Sequence, residues 1–160
     1  MIAPAQIAAS GSKDRLRLWL RLLKLSRRVD AQLRDRLRTD FGSTLPRFDV
    51  MAALARDDAG LKMSQLSGVL RVSNGNVTGI VDRLALDKLV ERVPVPGDRR
   101  AMVVRLTQAG RAEFTRQATA HEAWINEMLG AFTPQEARHM AARLAELAEK
   151  ATGPETKNVR

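Results

Sequence analysis

Cysteine is missing from all 160 residues. This excludes disulfides, thiolate metal sites and peroxide sensing through a thiol. No apolar run approaches the ~18 residues needed to span a bilayer, and no signal-peptide pattern is present, so a soluble, cytoplasmic protein without a membrane partner is expected. Catalytic signatures are missing too. There is no GxGxxG, no phosphate loop, no HExxH and no convincing pairing of a histidine with an acid. His121 and His139 stand apart on different helical segments, and His121 reads as a core residue on an apolar face rather than a pH sensor. Without paired acids, an activated nucleophile or a metal cluster, no enzyme, metal site or cofactor is expected. Aromatic residues make up only 4% of the chain. Trp19, Trp124, Phe48 and Phe114 could line a pocket, but core packing is the simpler reading.

What the chain has in excess is positive charge, with a net charge of +9. Residues 13–38 carry +7 and residues 64–106 carry +3, while the remaining segments are close to neutral. Clustered positive charge suits a polyanionic partner, most commonly nucleic acid, although solubility alone would also use it.

Residues 13–39 predict a long helix. Leu18, Leu22, Leu25, Val29, Leu33 and Leu37 recur at helical spacing, and Leu16, Trp19, Leu20 and Leu23 widen the apolar surface. One helix on one core needs no stripe so wide, so a second subunit is implied. Thr44-Leu45-Pro46 opens a second helix with Phe48, Val50, Met51 and Leu54 inward. Thr107 starts another, running to about Phe132. Thr133-Pro134-Gln135-Glu136 has the form of a capping box before a final helix bearing Met140, Leu144 and Leu147. Residues 1–12 and 151–160 read as tails.

Between these lies the informative stretch, 63–106. Leu66, Val69 and Leu70 form a short stripe. Val77, Ile80, Val81 and Leu84 repeat at i, i+3, i+4 and i+7, and Ser73 can cap that second helix. The opposite face presents Asn74, Asn76, Thr78, Gly79 and Arg83, short polar or basic groups that can lie against base edges. Residues 90–95 and 101–106 have strand character around a break at Pro94, Pro96 and Gly97, with Asp98-Arg99-Arg100 at the bend. The pattern is mainly α with a small β-hairpin wing: a winged helix-turn-helix.

SNGNVTGIVDRL, then VER, then a proline-led DRR-A and VVRLTQAGR resemble the MarR family of bacterial transcription regulators in order and spacing. More loosely, the resemblance covers residues 13–150 as one domain. It implies a homodimer built from the terminal helices, 13–45 and 107–150, around a DNA-binding region, 46–106. The family's usual glycine is replaced by Lys88 at the end of the recognition helix, where φ > 0 is needed and a lysine adopts it at a cost.

The resemblance implies DNA contacts at Ser73, Asn74, Gly75, Asn76, Thr78, Gly79, Arg83, Asp98, Arg99 and Arg100. By residue type, Asn can pair with adenine and Arg with guanine, while Ser and Thr suit phosphate. Arg100 can enter a narrow minor groove, and Arg99 can reach the backbone. Asp98 would orient Arg100 or another arginine. Each has a blander reading: Ser73 as a pure cap, Asn74 as merely exposed, the DRR run as a solvated turn.

The implied function is a transcriptional regulator, by family habit a repressor, on a palindromic double-stranded operator. GNVTGIVDRL also resembles regulators of aromatic-acid (hydroxycinnamate) catabolism, which implies release by a small aromatic acid or aryl-CoA thioester. Trp19 would meet the aromatic part, and Arg36 and Arg38 the phosphates. A solvated arginine face, paired with Asp30 and Asp35, explains the same residues. Two other functions remain open: an architectural nucleic-acid-binding protein without an effector, and a winged-helix adaptor for another protein.

Overall fold

A computed structural model describes residues 4–70 and 74–151. Its elements are α1 (Pro4–Phe41), α2 (Leu45–Leu54), α3 (Met63–Leu70), α4 (Asn74–Leu86), β1 (Val90–Val95), β2 (Asp98–Leu106), α5 (Gln108–Met128) and α6 (Pro134–Ala151). They fall into two units, divided between Trp124 and Ile125. Mainly α with one hairpin is the class expected, but α1 starts earlier than residue 13. Residues 4–12, read as tail, are helical, since proline suits a first turn and the alanines after it favour helix. At the other end α5 stops at Met128, short of Phe132.

The first unit packs around the middle of the chain. Val50, Met51, Leu54, Leu66, Val77, Val81 and Leu84 interlock with Val90, Val104 and Leu106. Full burial of each such side chain contributes ~1.5–3 kcal/mol. The α4 stripe therefore points inward as its period requires, with Ile80 at the margin. On α3 the expected stripe is narrower, because Leu66 is buried and Val69 is 57% exposed. Thr44 caps α2 as expected, its hydroxyl accepting the Arg47 N–H at 3.3 Å. Thr107 does the same for α5, accepting from the Gly110 N–H at 2.9 Å.

Gly110 fits only because it lacks a side chain, since a Cβ there would lie 1.8 Å from the Leu89 carbonyl oxygen. That approach presses α5 onto the base of the hairpin. β1 and β2 pair antiparallel from Val90↔Leu106 to Pro94↔Met102, then shift register at Val95↔Asp98.

The last turn of α4 closes with two backbone bonds, Leu89 N–H to Leu84 C=O at 2.9 Å and Lys88 N–H to Ala85 C=O at 3.0 Å. This is a Schellman closure, which places Lys88 in the left-handed region at φ 59°. The strain anticipated from the missing glycine is thus present.

In the second unit, the capping box forms. Glu136 N–H donates to the Thr133 hydroxyl at 3.2 Å, and Thr133 N–H donates to the Glu136 carboxylate at 2.8 Å. The Thr133 backbone bond, then its hydroxyl, holds the Glu136 carboxyl below the usual range. None of the described α6 side chains is buried. Among the described residues no helix is long and apolar enough to cross a membrane.

Candidate nucleic-acid interface

Burial of Val77, Val81 and Leu84 fixes the rotation of α4 and turns the opposite face outward. That face carries Gly75, Asn76, Thr78, Gly79 and Arg83, all exposed. A Cβ at Gly75 or Gly79 would meet nothing within 4 Å. Packing inside the chain therefore does not demand glycine at either place, and both leave the helix surface low for an outside partner. Ser73 lies outside the described residues, as do the side chains of Asn74 and Arg99.

The wing tip is a turn in which Pro96 precedes Gly97 at φ 84°, the sequence a type II turn selects. Asp98 Oδ1 accepts the Arg100 backbone N–H at 3.0 Å. Asp98 thus shapes the tip through the main chain. The guanidinium pairing expected of it is made with no described side chain. Arg100 is exposed beside it.

Carboxylates near this surface are matched by arginines from other elements. Asp82 on α4 meets Arg92 of β1 at 2.5 Å, and Asp87 just beyond α4 meets Arg47 of α2 at 2.5 Å. Glu91 pairs across the hairpin with Arg105 at 2.8 Å. These partners were not singled out in the sequence. Asp82 and Arg92 are separated by a helix end and a turn, and no periodicity links them.

The effector candidates separate. Trp19 is 57% exposed. Arg36 is half-buried with its guanidinium 5.8 Å from the Trp124 ring. Arg38 pairs with Asp35 at 2.6 Å. Seventeen residues of helix put Trp19 roughly 25 Å from Arg36, so within one chain no small aromatic acid touches both. Arg38 does line a cavity of about 540 Å³ together with Arg34, Ser43 and Thr44. Ser43 is buried and its hydroxyl has no partner among the described residues, a feature no sequence signal announces.

Beside this region Asp49 is pushed above the usual carboxylate range by lost solvation. His121 opposes the shift, Asp30 adds to it and Arg34 opposes it. His121 stacks on Phe48, ring centroids 4.7 Å apart. Phe48 also packs on Phe114, and Trp124 on Phe41. Those aromatics serve packing, and Trp19 does not join them. Among the described residues no cluster of ligands could hold a metal ion.

A helix with one buried stripe and one open polar face, followed at once by an arginine-tipped hairpin, defines a winged helix-turn-helix DNA-binding module. A MarR family model matches residues 41–101. The regulator PecS of Dickeya dadantii is 30% identical over 125 residues, covering 77% of this chain and 75% of PecS. The crystal structure of a MarR family transcriptional regulator from Silicibacter pomeroyi is 36% identical with a TM-score of 0.72, over 88% of this chain and 96% of that one. A mutant of Escherichia coli MarR complexed with operator DNA is 25% identical with a TM-score of 0.71, over 84% of this chain and 95% of that one. This chain belongs to the MarR family. It is a DNA-binding transcription regulator and not an enzyme.

Proposed function

We propose that the chain is a homodimeric repressor that binds a palindromic operator in the cytoplasm and leaves it when an anionic aromatic effector binds. The observation that carries DNA reading is the open α4 face beside an exposed Arg100. Asn76, Thr78 and Arg83 enter the major groove, with Ser73 and Asn74 at the helix start and Gly75 and Gly79 allowing close approach. Arg99 reaches the backbone and Arg100 the minor groove. Dimerisation is supported separately in each unit. Leu16, Leu18, Trp19 and Leu20 are more than half exposed on α1, and Met140, Leu144 and Leu147 are exposed on α6. Such surface is covered in a stable assembly. Residues 13–45 and 107–150 form the dimer frame, and residues 46–106 read DNA.

For the effector, the support is the cavity beside Arg38, whose size suits a small ligand. Its arginines favour an anionic group. Trp19 and Arg36 belong to the same site only for an extended aryl-CoA thioester, or when a second copy completes it. A polyanion there either cancels the attractive field or favours a dimer with altered helix spacing.

The test is titration of duplexes selected by the protein from a random pool, against random competitor. A regulator prefers its selected site by roughly a thousandfold or more, with affinity falling steeply in salt. Equal affinity for random duplex would support an architectural protein instead, and no salt-dependent duplex binding an adaptor. Thermal shift against aromatic acids and their CoA esters addresses the effector, since a ligand of the folded state raises Tm by mass action.

A further inference from the structure

We infer that the ion pair between Asp82 of α4 and Arg92 of β1 is a strut that sets where the wing tip stands relative to the reading face of α4. Asp82 and Arg92 are then positioning residues for sequence preference at the base pairs reached by the wing. This rests on the proposal that α4 and the wing together read DNA.

Four observations carry it. First, the pair spans the helix end and the turn, joining Arg92 Nη2 to Asp82 Oδ1 at 2.5 Å. Second, both side chains are substantially exposed, 36% for Arg92 and 54% for Asp82. An exposed pair contributes little stability, so stability is a poor reason for it. Third, β1 is held from both flanks at its base, because the preceding residue, Glu91, is bonded across the hairpin to Arg105 at 2.8 Å. Fourth, the strand is not anchored in the same way beyond Arg92. The register shifts between Pro94 and Val95, and the turn bearing Arg100 follows.

The hairpin is therefore a lever. Five residues of strand from Arg92 to the tip span ~16 Å. A rotation of about 10° at the base moves the tip about 3 Å, the full length of a hydrogen bond. Asp82 also lies next to Arg83 on the exposed side of α4. Its pairing with Arg92 removes a bare negative charge from a surface meant for phosphates.

The test uses the full chain and duplexes selected by the unmodified protein from a random pool. Asp82→Asn keeps shape and removes charge. It should leave the circular dichroism spectrum and Tm nearly unchanged and weaken the selected duplex about three- to fivefold, the most an exposed pair can contribute. Discrimination should flatten at the outer base pairs and persist at those read by α4. In an Arg100→Ala background the same change should add less than about a twofold loss, because the strut then positions nothing. Asp82→Glu should recover part of the preference.

Should Asp82→Asn weaken binding by the same factor in both backgrounds, or evenly at all base pairs, or not at all, the strut is overturned while the wing reading stands. Should Arg100→Ala alone leave affinity and outer-base preference intact, the wing reading fails and the strut fails with it.

Discussion

The reading module and the terminal helices differ in how far one chain completes them. In residues 45–106 the apolar stripes of α2 and α4 pack on the hairpin and on Leu66 of α3, and Val50, Met51, Leu54, Leu66, Val77, Val81 and Leu84 are closed off from solvent, while Val69 stays open. In the first half of α1 the leucines and Trp19 remain open, and α6, taken by itself, buries nothing. The contrast teaches that periodicity marks a face meant for burial but not what covers it. The reading module covers its own face. On the proposal of a homodimer, a second copy covers the open faces of the terminal helices.

Five changes would break or sharpen this contrast. The largest effect is expected at Gly110. Gly110→Val drives a side chain into the Leu89 carbonyl, and denaturant unfolding should lose about 4 kcal/mol or more. Next, Leu84→Ala empties part of a closed core and should cost about 3 kcal/mol at every protein concentration. The matching change on the open side, Leu144→Ser with Leu147→Ser, should behave differently. Tm of the unmodified protein should rise with concentration, and the variant should lose that rise. If Leu84→Ala proved the variant that lost the rise while the α6 variant kept it, the contrast would be inverted.

Smaller still is Lys88→Gly. Relief of a left-handed lysine at φ 59° should raise stability by about 0.5–1 kcal/mol, part of the gain being offset by a freer unfolded chain. The smallest effect is expected at Asp49. Partial loss of solvation raises its carboxyl above the usual range although the residue stays exposed, so its favourable contribution is complete below the unfolded pKa and is lost as pH rises through the folded one. Asp49→Asn should therefore raise Tm slightly at pH 7, and the advantage should vanish in acid. An advantage that grew in acid would contradict the assignment.

Much of the fold was legible because local rules decide it. The α4 stripe, the Thr44 and Thr107 caps, the Thr133–Glu136 box, the wing and the awkward conformation of Lys88 each depend on residues a few positions apart. The wing's interior was less legible. Asp98 is expected to orient Arg100 or another arginine; among the described residues its carboxylate takes the Arg100 backbone N–H, a short-range bond open to aspartate in a turn that the spacing alone does not announce. Val69 completed a plausible stripe on α3, but that short helix buries a narrower face. The Asp82–Arg92 and Asp87–Arg47 pairs and the buried hydroxyl of Ser43 arise from tertiary geometry, which spacing along the chain does not encode. For the effector, Trp19, Arg36 and Arg38 read as one site in the sequence, whereas the 1.5 Å rise of a helix sets Trp19 roughly 25 Å from Arg36 within one chain.

The most direct test of the central idea is the stoichiometry and symmetry of the complex with a duplex selected from random sequence, measured by sedimentation together with footprinting. A paired frame presenting two α4 faces predicts two chains per duplex, on inverted half-sites about 10–10.5 base pairs apart. One chain per duplex, or protection without two-fold symmetry, would contradict it.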